Sequence, residues 1–186
     1  MNEIVKVNKP ALAGSGSEQW DRQQYLTFML GSEVFAIGIL AIKEIIEYGQ
    51  LTVVPMMPEF IRGVINLRGA VVPVVDLSAR FGRKSANVTK RTCIIIIEVV
   101  AGEDTNVIGV VVDAVNEVLE ILPGEIEPAP AFGAKIRTDF IQGMGKVNGK
   151  FVILLEVGNV LSVEDLAALQ HAGNSDVAAA PMAVAV

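Results

Sequence analysis

A stretch of eighteen residues occurs twice in this sequence, and the repeat is the strongest constraint on its fold. The first copy, FIRGVINLRGAVVPVVDL, begins at Phe60, and the second, FIQGMGKVNGKFVILLEV, begins at Phe140, 80 residues later. The copies align without a gap and share glycines and an acidic residue, Asp76 or Glu156, as well as apolar positions. Shared glycines and charges argue against a chance similarity between two valine-rich strands.

The segments upstream of the repeat also match, at a smaller offset of 73 residues. FAIGILAIKEIIE, from Phe35, aligns with IGVVVDAVNEVLE, from Ile108, so the second copy carries a seven-residue insertion, placed within AFGAKIRTD. We therefore expect two copies of one small β unit, each of roughly 60–80 residues. Units of that size bury too little surface to be stable alone, so the two should pack against each other.

Short apolar segments separated by turn signals predict antiparallel hairpins in both units. QYLTFML and EVFAIGI flank Gly31-Ser32, GVINLR and AVVPVVD meet at Arg68-Gly69, TCIIIIEVV and NVIGVVVDAV meet at AGEDTN, and GMGKV and KFVILLEV meet at Asn148-Gly149. Asn-Gly is the strongest short hairpin signal, because both residues tolerate positive φ. The spacing of these strands, rich in Val and Ile, predicts small closed barrels or a sandwich.

One helix is predicted near the end of the chain. Ser162 can cap it, Asp165 occupies the third position of a variant capping box, and the helix should extend to about His171. A short helical turn is also expected over ILAIKEII, which contains Glu44. Residues 1–22 and the alanine-rich residues 172–186 are expected to be disordered.

Charge, cysteine content and hydropathy exclude several classes of function. The formal net charge is −6 at pH 7 and the cations are scattered, which argues against a nucleic-acid groove. A single cysteine, Cys93, allows no intrachain disulfide, and no apolar run reaches signal-peptide length or the ~18 residues of a membrane helix. The sequence thus indicates a soluble, cytoplasmic protein. The basic residues nearest to a cluster are expected on a solvated loop: Arg80, Arg83, Lys84, Lys90 and Arg91.

The sequence has no arrangement of reactive side chains typical of an enzyme. The only histidine, His171, ends the predicted helix, and Cys93 lies in a strand where a buried, inert thiol is expected. The acidic residues are spread singly, and no Cys or His spacing suits a metal. The chain lacks a phosphate-binding loop. We expect no catalytic residues, no metal and no cofactor, and a protein that binds without reacting.

Comparison of the two copies singles out Arg68. At the hairpin tip the second copy has Asn148, an ordinary turn residue, where the first has Arg68. Arginine resists the left-handed φ that such a turn requires, so something other than the turn favours it there. An arginine on an exposed tip among apolar neighbours is typical of interfaces. We expect Arg68 to pair with Glu44 or with an acidic group of a partner, and we regard Arg62 as a weaker candidate.

With FAIGILAIKEII before it and IGVVVDAVNEVLEI and PAPAFG after it, FIRGVINLRGAVVPVVDL strongly resembles the CheW family, the coupling proteins of bacterial chemotaxis. The resemblance covers the chain from about Gln24 to Leu169. It implies a mainly β fold of two tandem, five-stranded SH3-like barrels packed together, with short helices and a C-terminal helix over 162–171. The CheW-like domain would span residues 23–171, with the first barrel centred on about 35–90 and the second on about 107–157.

The resemblance also implies a non-catalytic adaptor, or scaffold, in signal transduction. Family members join the histidine kinase CheA, through its regulatory domain, to the cytoplasmic tips of methyl-accepting chemoreceptors. Such a protein would be cytoplasmic and recruited to membrane-associated receptor arrays, with no nucleic-acid partner and no membrane insertion. The residues carried over by motif to the receptor or kinase interface are Ile42, Glu44, Gly63, Asn66, Arg68 and Gly69.

Two other functions remain open. The chain could be a CheW-like regulatory domain of a larger chemotaxis protein, such as the kinase itself or a coupling protein fused to a receiver. It could instead be a sensor that binds a small molecule inside a barrel, although barrels this small are filled by side chains.

Overall fold

A computed structural model of the chain contains two packed β-sheets and describes residues 22–130, 137–162 and 164–168. The helical segments are short: α1 (Leu77–Arg80), four 3-10 turns (Ile39–Ala41, Pro123–Glu125, Thr138–Phe140 and Val157–Asn159) and α2 (164–168). The predicted mainly β fold is therefore confirmed. The strands are β1 (Gln23–Leu30), β2 (Glu33–Gly38), β3 (Ile42–Glu47), β4 (Ile61–Leu67), β5 (Ala70–Asp76), β6 (Cys93–Ala101), β7 (Asp104–Val112), β8 (Ala114–Ile121), β9 (Ile126–Glu127), β10 (Ile141–Val147) and β11 (Lys150–Leu155).

The first sheet has five strands in the order β3-β6-β7-β5-β4, and the second has six in the order β8-β1-β2-β11-β10-β9. The sixth strand is the two-residue β9, whose counterpart in the first sheet is a single bridge between Thr52 and Val64. Strand β2 overlaps the range expected for the first barrel but belongs to the second sheet. Strand β7 overlaps the range expected for the second barrel but belongs to the first sheet. Sequence repetition identifies equivalent strands, but it does not determine which copy of a strand completes which sheet.

The strand registers reproduce the internal repeat. The hairpins β4–β5 and β10–β11 have the same register, including a bulge near the start of their first strand. The parallel pairs Val74–Gly109 and Leu154–Ala36 are equivalent as well, at the two offsets found in the sequence. The two copies therefore fold alike and are related by more than composition.

All four predicted hairpins are present, as β1–β2, β4–β5, β6–β7 and β10–β11. The helical turn expected over ILAIKEII is wrong beyond Ala41, because only Ile39–Ala41 form a 3-10 turn and Ile42–Glu47 form β3. Isoleucine is β-branched and suits a strand, and exposure alternates along β3 as it does on a pleated edge.

Apolar side chains are buried in three places, one between the sheets and one within each sheet. The cluster between the sheets contains a row of ring contacts, with centroids 5.6–6.1 Å apart, from Phe28 through Phe35 and Phe81 to Phe140. The packing of two β units on a shared hydrophobic region thus agrees with expectation. The cluster within the second sheet consists of Tyr25, Ala36, Ile121, Val152 and Leu154, and that within the first of Val72, Val74, Ile94, Ile96 and Val111.

Helix α2 begins with the predicted capping box. Ser162 Oγ accepts a hydrogen bond from the Asp165 backbone N–H at 3.1 Å, and the Asp165 carboxylate accepts one from the Ser162 N–H at 3.0 Å. Leu161 and Leu166 anchor this segment in the shared core. Within the described part of the chain, no helix is long and apolar enough to cross a membrane.

Some expectations fall outside the described residues. They are the end of the last helix near His171, nearly all of residues 1–22, residues 172–186, and most of the insertion within AFGAKIRTD.

Candidate functional site

The β4–β5 hairpin presents Arg68 at its tip. Arg68 has a φ of 52° and Gly69 a φ of 86°, and positive φ at both central residues is the geometry of a type I′ turn. The side chain of Asn66 stabilises the turn, since its Oδ1 accepts a hydrogen bond from the Gly69 N–H at 2.9 Å. Asn66 and Gly69 therefore shape the turn, and Arg68 is displayed by it.

Arg68 pairs with Glu44 of β3, one of the two partners expected from the sequence. Nη1 lies 2.8 Å from Oε1 and Nη2 lies 3.0 Å from Oε2, which is a bidentate pair. The Arg68 side chain is 77% exposed and that of Glu44 is 25% exposed. Because β3 and β4 are opposite edges of the first sheet, the pair shows that the sheet curls until its edges approach each other.

Apolar side chains flank this charged pair along the chain. Ile42, at the start of β3, is half-buried and packs against the shared core. Leu40 precedes β3 and is 99% exposed, and Val71 follows the turn and is 62% exposed. Exposed apolar residues that neighbour an exposed ion pair in the chain are typical of a surface that contacts another protein.

Gly63 lies where β4 closely approaches the segment around Thr52. It has a φ of 148°, and a Cβ added there would lie 2.4 Å from the carbonyl oxygen of Thr52. The close approach lets Thr52 and Val64 exchange two backbone hydrogen bonds, at 2.8 and 2.9 Å. Gly63 therefore fixes where the segment before β4 lies and contributes no side chain to a partner.

Arg62, the weaker candidate, is held inside the fold. Its Nε donates to Oδ2 of the fully buried Asp76 at 2.9 Å, and its Nη2 donates to the Ala86 carbonyl at 2.7 Å. Asp76 also accepts hydrogen bonds from the Ala79 and Ala86 N–H groups, both at 3.2 Å. The pair therefore fastens α1 and the loop that follows it to the first sheet.

The expectation of a solvated loop is wrong for Arg80. Its side chain is only 16% exposed, and its guanidinium carbon lies 4.5 Å from the ring centroid of Phe60 and 5.1 Å from that of Phe140. Its Nε donates to the Val160 carbonyl at 2.6 Å, and its Nη2 pairs with Asp165 at 3.3 Å. Arg80 thus connects α1 to the second repeat and to the cap of α2.

The expectation is also wrong for Arg83, whose side chain is 25% exposed and pairs with Glu33 of the second sheet. The sequence did contain a signal that the segment carrying both arginines packs on the core. Between them lies Phe81, which corresponds to Leu161 at the repeat offset, so the segment continues the repeat and packs on the core.

The Cys93 thiol, expected from the sequence to be buried, is half-buried. Burial raises the pKa of the Cys93 thiol, and the charge of Glu47 raises that pKa further, so the thiolate is disfavoured. The thiol lies 3.3 Å from the Arg91 carbonyl oxygen, to which it donates. Among residues 22–130, 137–162 and 164–168, no group of His, Cys, Asp and Glu side chains could hold a metal ion.

Comparison with known proteins gives a consistent result. The family profile described as "CheW-like domain" matches residues 24–165. The chain is 35% identical over 153 residues to the chemotaxis protein CheW of Klebsiella aerogenes, covering 82% of this chain and 90% of that protein. It is 32% identical over 162 residues to the chemotaxis protein CheW of Helicobacter pylori, covering 87% and 95%. The crystal structure of the scaffolding protein TtCheW from Thermoanaerobacter tengcongensis superposes with a TM-score of 0.70 at 34% identity, covering 77% of this chain and 90% of that one.

Proposed function

The chain belongs to the CheW family of chemotaxis scaffold proteins, which are not enzymes, and on that premise we propose that it is an adaptor that couples chemoreceptors to a histidine kinase. Its partners would be the regulatory domain of CheA and the cytoplasmic tips of methyl-accepting chemoreceptors. The protein would act in the cytoplasm and be recruited to membrane-associated receptor arrays.

The observation that carries the proposal is the exposed Arg68–Glu44 pair on the first unit. An adaptor needs different surfaces for its two partners, and here two units of one fold differ at the same hairpin tip, with Arg68 in one and Asn148 in the other. A partner that covers the pair removes it from water, which strengthens the charge-assisted hydrogen bonds of the guanidinium.

We propose that the interface is centred on Ile42, Glu44 and Arg68, with Asn66, Gly69 and Gly63 holding the backbone that presents them. Each sheet buries its own cluster of apolar side chains, which fills its interior. A partner would therefore be recognised at the surface. This favours protein docking over a small-molecule site inside a barrel.

The test is a binding measurement with purified receptor-tip fragment and purified kinase regulatory domain. Arg68→Asp should weaken receptor binding at least tenfold, a loss of about 1.4 kcal/mol or more, while the melting temperature stays close to that of the original chain. Asp tolerates positive φ, so the turn should survive the change.

Asn148→Asp is the matched control, since it places the same residue in the same turn of the second unit. Receptor binding by this variant should stay within about twofold of the original. Unchanged binding of Arg68→Asp to both the receptor fragment and the kinase regulatory domain would show that the hairpin tip is not the coupling surface.

A further inference from the structure

A cleft of about 960 Å³ lies where the two sheets meet, away from the Arg68 hairpin. One wall is formed by the β1–β2 turn at Gly31 and the β7–β8 junction at Asp113. The other wall is the loop after α1, which contributes residues 83–87 and 89–91. Both units therefore contribute to the cleft.

The cleft is basic although the protein is acidic. Lys84, Lys90 and Arg91 line it, are exposed, and form no ion pair with any residue in the described ranges. The other described arginines each pair with a carboxylate. The acidic side chain on the walls, Asp113, accepts a hydrogen bond from the Gly31 N–H at 2.6 Å. Three cations without an ion-pair partner among the described residues thus outnumber the one carboxylate on the walls.

The loop that carries these cations is held in place by the fold. Ala86 is fixed from both sides, since its N–H donates to buried Asp76 and its carbonyl accepts from Arg62. Further along, the Thr89 N–H donates to Thr92 Oγ1 at 2.8 Å, and the Arg91 N–H donates to Thr89 Oγ1 at 3.2 Å. A loop that is already ordered loses little conformational entropy when a ligand binds to it.

We propose that this cleft docks an acidic peptide segment of a partner protein. The exposed lysine and arginine side chains of this wall complement the charge of carboxylates on an acidic chain. A nucleic acid fits less well, because the net charge of −6 repels a long polyanion beyond the cleft. A small free anion fits less well too, since the described residues include no buried side-chain polar atom left without a hydrogen bond.

The test uses the full chain and a fluorescently labelled peptide of about 12 residues that alternates glutamate and serine, followed by anisotropy. The double substitution Lys90→Glu and Arg91→Glu should weaken binding at least tenfold. The control is Lys146→Glu with Lys150→Glu on the β10–β11 hairpin, which changes the net charge equally, lies outside this cleft, and should weaken binding less than twofold.

Several outcomes would overturn the proposal. They are an equal loss in the two double variants, no binding by the original chain up to about 1 mM peptide, and tighter binding of a single-stranded oligonucleotide or of inorganic phosphate than of the peptide. If the first variant does not fold, Lys84→Gln on the same wall should still weaken binding measurably. The result is independent of the adaptor proposal, because none of these residues lies on the Arg68 hairpin and receptor binding is measured separately.

Discussion

Arg68 and Asn148 occupy the same position in two equivalent hairpin turns, with φ angles of 52° and 51°. Asparagine tolerates this left-handed conformation because its short side chain can hydrogen-bond locally, whereas arginine gains no such compensation. The pair with Glu44 offsets little of the strain, since the Arg68 side chain is 77% exposed. The first unit thus keeps a residue that its turn does not favour, as expected if the side chain serves a partner.

Reciprocal substitutions separate the turn from the interface. Arg68→Asn should change the free energy of unfolding by less than about 1 kcal/mol, because the lost exposed pair is compensated by a better turn residue. The same variant should bind the receptor fragment poorly. Asn148→Arg should lower the free energy of unfolding by about 1 kcal/mol and leave receptor binding unchanged.

Both free energies are measured by urea denaturation followed by circular dichroism. A loss of more than about 2 kcal/mol in Arg68→Asn would mean that the Arg68–Glu44 pair holds the curled sheet together, and the interface argument would then lose its basis.

The second prediction concerns Arg62 and Asp76. Arg62→Ala should lower the free energy of unfolding by about 3–5 kcal/mol, because it leaves the fully buried Asp76 carboxylate without a cation. Arg22→Ala is the control: its pair with Glu120 is 3.7 Å long and about half exposed, so the loss should be below about 0.5 kcal/mol. Similar losses in the two variants would show that Asp76 does not depend on Arg62.

Much of the fold follows from the sequence, because hairpins are local. Turn signals such as Asn148-Gly149 specify which strands pair as neighbours, and the repeat specifies which strands are equivalent. The parallel pairs of β5 with β7 and of β2 with β11 are long-range, and no local signal distinguishes the sheet that each strand joins. The assignment of β2 and β7 therefore required the structure.

The Arg68–Glu44 pair was predictable for a different reason. Arg68 stood out because the second copy served as an internal reference for an ordinary turn. The structural contacts of Arg80 and Arg83 were missed because a charged residue beside a turn usually faces solvent. Their burial depends on aromatic rings and carboxylates from distant parts of the chain, such as Phe140 and Glu33.

The rate at which Cys93 is alkylated should depend on pH and on folding. Cys93 is the only cysteine, so a thiol reagent reports on it alone. Burial and the charge of Glu47 raise its pKa above that of a free thiol, so less thiolate is present at a given pH. Alkylation by iodoacetamide at pH 8 should be slower in the native protein than in the urea-unfolded chain, with its midpoint at higher pH.

Glu47→Gln removes the negative charge and should shift that midpoint of alkylation to lower pH, while burial keeps it above the value for the unfolded chain. A native rate equal to the unfolded rate across the pH range would show that the thiol is freely accessible.

The last prediction concerns Arg80. Its guanidinium contacts Phe60, Phe140, the Val160 carbonyl and Asp165 at once, and a planar fork is needed to make these contacts together. Arg80→Lys should therefore lower the free energy of unfolding by about 2–4 kcal/mol although it keeps the charge. The loss should appear in urea denaturation as a lower midpoint.

Arg137→Lys is the matched control, because Arg137 also lies over the ring of Phe140, at 5.5 Å, and pairs with Asp139, yet its side chain is 71% exposed. Its loss should stay below about 0.5 kcal/mol, since water screens both contacts. Equal effects in the two variants would mean that burial between the repeats adds nothing to the contacts of Arg80. A large effect confined to Arg80→Lys would identify this arginine as the residue that fastens the first repeat to the second and to the cap of α2.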